Sequence, residues 1–204
     1  MTHPSPSAAA EIIALYERHA DAFDRLRGKS GFEAPWLERF LAASPSPLPV
    51  LDLGCGAAEP MARILIERGR QVWGIDSAPA MIALCRARFP DQTWQVGDMR
   101  RLDLGQRFGG LLAWHSFFHL TPDDQRAMFP IFAAHAAPQA ALMFTSGPDA
   151  GESFGTFEGK TLYHASLSQD EYRELLTTHG FEVLRHVAQD PEAGGATVWL
   201  AQRR

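Results

Sequence analysis

Cysteine is nearly absent: Cys55 and Cys85 are the only two among 204 residues, and they form neither a disulfide framework nor a metal-ligand spacing. Two reduced thiols are expected, with Cys55 chosen for small size, because no general base stands beside it in the sequence. Lys and Arg never form a run, and 19 of them against 24 Asp and Glu leave a formal net charge of −5. That balance gives no electrostatic footprint for a polyanion, so nucleic acid is not the expected partner. No apolar stretch approaches the length of a membrane span, and Met1 to Ala10 lack both a basic n-region and an apolar h-region. A cytoplasmic protein without a membrane partner is therefore expected. No internal repeat and no second composition regime appear, so one domain over residues 1–204 is the default reading. At 46% hydrophobic and 21% charged, the chain has the material for one sizeable core.

The stretch Val50-Leu51-Asp52-Leu53-Gly54-Cys55-Gly56 organises what is there. Val50 to Leu53 read as a short buried strand, and the two glycines allow a tight turn with close backbone approach to a ligand. Pro60 suits the start of a helix, Met61, Ile64, Leu65 and Arg68 form its stripe, and Gly69 ends it. A second strand, Val72 to Ile75, closes on Asp76, 20 residues after Gly56, where a carboxylate reaches ribose hydroxyls of a nucleoside.

Upstream, residues 1–7 read as a flexible tail and residues 8–43 as a helical cap. One helix is expected from Ala8 to about Leu26 and another from about Glu33 to Ala43, followed by a stiff Pro/Ser connector. Downstream, Ser77 is placed to cap a helix carrying Met81, Ile82 and Cys85. Thr93 to Val96 read as a third strand closing on Gly97-Asp98-Met99, and Phe108 to Trp114 as a fourth, followed by a loop from His115 to Leu120. Thr121-Pro122-Asp123-Asp124 starts a helix, Ala141 to Thr145 is a fifth strand, and Ser168 to Glu171 form a capping box. Phe181 to Val187 and Thr197 to Ala201 make the last two strands, an antiparallel pair. Residues 147–166, with four glycines and three aromatics, show no clear period and read as a long lid loop.

Strands alternating with helices give an α/β fold: a seven-stranded, mostly parallel sheet with helices on both faces and an antiparallel last strand. Ligands of such sheets bind beyond the carboxyl ends of the strands at the switch point. The glycine turn, Asp76, Asp98-Met99 and Trp114-His115 all fall on that edge.

These motifs resemble the successive cofactor motifs of the class I S-adenosylmethionine-dependent methyltransferases, small single-domain type. Phe118-His119-Leu120-Thr121-Pro122 and the Gly180-Phe181 turn resemble later segments of the same family, so the likeness runs from about Tyr16 to Ala201. It implies that Gly54, Cys55 and Gly56 present backbone to the amino-acid end of S-adenosylmethionine, with Asp52 ordering the turn or reaching the ammonium. It implies Asp76 on the ribose, Asp98 and the Met99 amide on adenine, Ser77 or Met81 beside the base, and Trp114 near the methionyl portion. Tyr16 and Arg27 on the first helix would enclose the cofactor and pair its carboxylate, and His115 would stand at the mouth of the acceptor pocket. S-adenosylhomocysteine would be the product. Ala58 replaces a third glycine common in relatives.

A dinucleotide is the rival cofactor, but Glu59 occupies the position where its fingerprint needs glycine or alanine. For the transfer itself, His115, Tyr163 and His164 are the catalytic candidates if a base is needed. His119, Phe154 and Phe157 are the candidates for binding substrate, the two phenylalanines as an apolar wall of the lid. His115 and His119 stand four apart without an evident third ligand, so no metal is expected. The expected reaction is methyl transfer to O, N or S of a small organic acceptor. A non-catalytic S-adenosylmethionine-binding sensor or partner protein, and a methyltransferase acting on RNA or protein, are the alternatives. The acceptor, the pathway and the oligomeric state do not follow from the sequence.

Overall fold

The structure is a computed structural model that describes residues 7–45 and 47–204. The expected N-terminal tail falls, apart from Ser7, outside the described residues, as does Ser46 of the connector. In chain order the elements are α1 Ser7–Arg18, α2 Ala20–Leu26, α3 Ala34–Ala42, β1 Val50–Leu53, α4 Met61–Glu67, β2 Val72–Asp76, α5 Pro79–Arg88, β3 Thr93–Val96, β4 Phe108–Ala113, α6 Pro122–His135, β5 Ala136–Ser146, β6 Gly151–Phe157, β7 Lys160–Ser166, α7 Gln169–Thr178, β8 Phe181–Asp190 and β9 Ala196–Arg203.

Seven strands form one sheet in the order β3-β2-β1-β4-β5-β9-β8. β1 pairs in parallel with β2 and β4, β2 with β3, and β4 with β5. β9 runs antiparallel between β5 and β8. The chain leaves β1 toward β2 and β3, then crosses back to β4 on the other side of β1, so the crevice of the sheet opens above β1 and β4. Neighbouring strand residues divide between two cores, as the two-residue period requires. Leu112, Met143 and Val198 pack with Trp36, Phe40 and Leu65 on one face. Leu111, Leu142 and Trp199 pack with Phe129, Phe132 and Tyr172 on the other.

Three local expectations need correction. The N-terminal helix is two helices, broken at His19, whose φ of −117° and ψ of 25° are not helical. Ser77 makes no cap: α5 begins after Ala78, and the side chain of Asp76 accepts the Ala78 amide instead, at 2.9 Å. Residues 147–166 are not an irregular loop. β6 and β7 pair from Gly151↔Ser166 to Phe157↔Lys160, and Glu158 and Gly159, with φ of 49° and 71°, make the two-residue turn that matches strand twist. Glycines and polar residues in a mostly exposed ribbon hid its alternation. The Thr121 and Ser168 caps form as expected, accepting the amides of Asp124 and Glu171.

Candidate functional site

The site grows out of the turn after β1. The amides of Gly54 and Cys55 both donate to the Ile75 carbonyl, at 2.7 and 3.1 Å, which bends the chain sharply at the strand end. Gly54 (φ 72°) and Gly56 (φ 53°) hold the left-handed conformations the bend requires. A Cβ on Gly54 would lie 2.3 Å from Cβ of Ser116, whose hydroxyl donates to the Leu53 carbonyl at 2.6 Å. The loop after β4 is thereby packed directly onto the turn. Asp76 fixes the other side by accepting the amides of Gly56 and Ala78, each at 2.9 Å. Burial raises its carboxyl above the ordinary value, and these amides oppose the shift. Asp52 is buried beneath the turn, and burial, with the Asp76 charge second, pushes it up to about 7. The thiols of Cys55 and Cys85 both donate to the Gly56 carbonyl, at 3.8 and 3.1 Å. Burial drives the Cys55 thiol far above its usual range, so it is a packing residue and no nucleophile.

Above this turn lies a cavity with Gly54, Gly56, Asp76 and Asp98 along the sheet edge, Met81 at the side and Ile12, Ile13 and Tyr16 of α1 as its roof. Ser77 and Met99 also line it. A smaller cavity continues past Gly54 and Gly56 to Asp52, Cys55, Trp114 and Arg27. The indole Nε1 of Trp114 is buried there without a hydrogen-bond partner. Arg27 reaches this cavity as expected, but its Nη2 is held at 2.7 Å by Glu33, a fully buried carboxylate whose other oxygen has no partner. Asp98 is likewise occupied. Arg100 donates to it through Nε at 2.9 and 3.0 Å, through Nη2 at 2.6 Å and through its amide at 3.0 Å, and reaches Asp124 at 3.2 Å. Burial works to raise the Asp98 carboxyl, but the Arg100 bonds outweigh it and hold it below the ordinary value.

Beyond β4 the structure gathers three imidazoles. His115 (φ 52°) donates its amide to Oγ1 of Thr145 at 2.9 Å and borders both cavities. Burial lowers its pKa to about 3, with the Arg27 charge adding. His119 is brought to about 4, again by burial first. Its Nδ1 lies 2.8 Å from the Tyr163 carbonyl, which only accepts, so Nδ1 carries the proton and Nε2 accepts from the Tyr16 hydroxyl at 3.0 Å. His164 stacks on His119 at 4.9 Å between centroids, and burial lowers its pKa too. Phe118 stands among the three, at 5.7 Å from His115, 4.9 Å from His119 and 5.1 Å from His164.

Phe118 and His164 also border a third cavity, at the base of the hairpin, with Ser146, Asp149, Glu152 and Ser166. Tyr163 points away from the imidazoles: its hydroxyl donates to Glu152 at 2.6 Å, and burial followed by that bond raises its pKa. The expected apolar wall is not there. Phe154 is 42% exposed, and Phe157 packs on Tyr16 at 5.9 Å and on Phe23 at 6.3 Å, clasping the hairpin tip to α1 and α2. Sequence reasoning also missed Ser116, Arg100, Glu33 and Glu152, because each acts through a partner distant in the chain or an unremarkable neighbour. Among the described residues, no group of three or more His, Cys, Asp and Glu is arranged to hold a metal ion, and no helix is long and apolar enough to cross a membrane.

This sheet order, with a glycine turn after β1 and acids closing β2 and following β3, is the class I methyltransferase fold. Residues 50–139 match the family model described as "Methyltransferase domain". The structure of an S-adenosylmethionine-bound amino pentose methyltransferase from Micromonospora echinaspora superposes with a TM-score of 0.71 at 22% identity, covering 92% of this chain and 96% of that one. The dTDP-3-amino-3,6-dideoxy-alpha-D-glucopyranose N,N-dimethyltransferase of Streptomyces fradiae is 32% identical over 144 residues, 69% of this chain and 54% of its own. The trans-aconitate 2-methyltransferase of Escherichia fergusonii is 35% identical over 95 residues, 46% of this chain and 36% of its own. The chain spans about half the length, or less, of the curated relatives it matches.

Proposed function

We propose that the protein is an S-adenosylmethionine-dependent methyltransferase that moves a methyl group to O, N or S of a small organic acceptor by in-line displacement. The observation that carries this reading is the pair of joined cavities above the β1 turn. Their lining supports it with two glycines, the Asp76 carboxylate, an unpartnered buried indole N–H and the buried Asp52 carboxyl. When bound, the cofactor supplies a methyl group already activated on sulfonium, so orientation and proximity account for much of the rate.

The chain's own residues divide the work. Asp76 spends one lone pair of each oxygen on Gly56 and Ala78 and keeps the others for ribose hydroxyls. Asp52 would hold the ammonium, and Trp114 Nε1, with Arg27, the carboxylate. Asp98 would accept from the adenine amino group, in exchange with Arg100. Met81, Ser77 and the Met99 amide bound the base. α1 and the β6–β7 hairpin act as one lid, joined through Tyr16, His119 and Phe157. His115 and His164, both neutral at physiological pH, are the candidates for taking a proton from a protic acceptor, and the depression of His115 to about 3 makes it a much weaker base than a free imidazole. Tyr163 acts through Glu152. Nitrogen is favoured as the acceptor atom because the Streptomyces fradiae relative is by name an N,N-dimethyltransferase. We place the reaction in the cytoplasm, where thiols such as Cys55 and Cys85 stay reduced.

The test is calorimetric titration of S-adenosylhomocysteine, with NAD as control, followed by assay of S-adenosylhomocysteine release across an acceptor panel. Binding of S-adenosylhomocysteine but not NAD supports the proposal. Preference for NAD, or no binding by folded protein, removes it.

A further inference from the structure

The smaller cavity shares Phe23, Gly54, Gly56 and His115 with the cofactor cavity, so it extends the same site. Few of its groups can receive an anion. Asp52 and Glu59 are acids, Glu59 is already bonded to Arg63 at 2.8 Å, and Arg27 is the one Lys or Arg that lines it among the described residues. Trp114, 5% exposed, adds an indole N–H without a partner. A guanidinium and an orphaned N–H lining one cavity fit a carboxylate, and the methyl-transfer reading supplies one on the amino-acid end of the cofactor.

Arg27 follows directly on α2 with extended backbone (φ −61°, ψ 120°), and its Nη2 donates to Oε1 of Glu33 at 2.7 Å. Its side chain makes no other hydrogen bond among the described residues, which leaves the rest of its fork of donors for a ligand. Glu33 is the unusual member of the pair. It stands just before α3, where a capping side chain accepts the first amides of the helix, yet it makes no such bond. It is 0% exposed, and its Oε2 has no partner. A buried carboxylate with one oxygen unpaired is costly, and capping does not offset it. The one side-chain bond it makes among the described residues is to the arginine that lines the cofactor's site.

We infer that Glu33 is a positioning residue: its bond holds the Arg27 guanidinium at the smaller cavity and so makes the site select ligands that carry a carboxylate on the amino-acid side of the sulfur. The inference rests on the methyl-transfer reading above and adds the residue that sets this selectivity. Without Glu33 the guanidinium is free to turn to water, and binding must then supply the cost of ordering it. The charge of Glu33 works the other way, by competing with the ligand for Arg27. Glu33→Gln separates the two effects, because it keeps an acceptor oxygen and removes the charge.

The experiment is calorimetric titration of the full chain with S-adenosylhomocysteine and, in parallel, with its decarboxylated analogue, which lacks only the carboxylate. Wild type is expected to prefer S-adenosylhomocysteine. Glu33→Leu should weaken S-adenosylhomocysteine about tenfold and leave the analogue unchanged, which a merely structural role would not do. Glu33→Gln should return S-adenosylhomocysteine to within about twofold of wild type. In an Arg27→Leu background, Glu33→Leu should cost nothing further. That double variant replaces a buried ion pair by apolar groups, which is commonly tolerated, so it reads out even where a single variant is unstable, and it should bind the two ligands alike. Equal losses of both ligands in Glu33→Leu, unchanged or tighter S-adenosylhomocysteine binding there, a Glu33→Gln protein as weak as Glu33→Leu, or a preference that survives in the double variant overturns the inference. Failure of folded wild type to bind either ligand strikes the cofactor reading instead.

Discussion

The Tyr16 hydroxyl donates to Nε2 of His119 across 103 residues of chain, at 3.0 Å. Because Nδ1 of the same ring donates to the Tyr163 carbonyl, one imidazole ties α1, the loop after β4 and β7 together. Tyr16→Phe leaves a nitrogen of a residue only 8% exposed without a donor. The expected cost is about 1–3 kcal/mol in stability, seen as a lower urea midpoint. Since α1 roofs the cofactor cavity, S-adenosylhomocysteine affinity should fall with it. A variant with wild-type midpoint and affinity would show that the ring does not join these elements in solution.

Asp76 holds the glycine turn and faces the cofactor cavity at once. Asp76→Ala strips the acceptors from the Gly56 and Ala78 amides and should weaken S-adenosylhomocysteine binding at least about tenfold, roughly 1.4 kcal/mol. Asp76→Asn keeps one acceptor oxygen and should fall between alanine and wild type. Equal binding by all three proteins in calorimetry would place the ribose elsewhere.

Gly54→Ala puts a methyl group 2.3 Å from Cβ of Ser116 at a residue with φ of +72°. The left-handed backbone costs about 1–2 kcal/mol and the overlap about 1–3 kcal/mol more. Ser116→Gly in the same chain should return the steric part only. A thermal-melt double-mutant cycle measures that coupling, and strictly additive losses would mean the two side chains do not meet.

The parts of the site that were legible in the sequence are those written locally. Gly54, Gly56 and Asp76 sit at strand ends, where a short motif and a 20-residue interval suffice to place them. Arg100 was not legible as the partner of Asp98, although it is two residues away, because the pairing depends on the turn after Asp98 and on Asp124 from α6. Glu33 read as a helix start, yet it is buried against Arg27. The hairpin escaped notice because its outward faces carry Glu152, Thr156 and glycines rather than an apolar stripe, so no burial pattern announced the strands. The centre of the seven-stranded sheet was visible for the opposite reason: β1 and β4 are buried on both faces and read as largely apolar runs.

Asp52 gives the site a pH dependence whose sign is fixed by the direction of its shift. Burial, then the Asp76 charge, raises its carboxyl to about 7. Between the unfolded value near 4 and about 7 the native chain therefore holds a proton that the unfolded chain has lost. The corresponding stability is complete below that window and is lost as pH rises through it. On the proposed placement, a cationic ammonium beside Asp52 favours the ionised form, so cofactor binding is expected to expel this proton. Affinity for S-adenosylhomocysteine should then rise with pH up to about 7 and level off above it. His115 and His119, at about 3 and about 4, stay neutral through the upper part of that range and do not contribute. Calorimetry at pH 6 in two buffers of different ionisation enthalpy measures the released proton directly. Asp52→Asn should bind with no net proton release and a flat profile. Release that persists in Asp52→Asn would assign the proton to Asp76, whose carboxyl is also raised by burial.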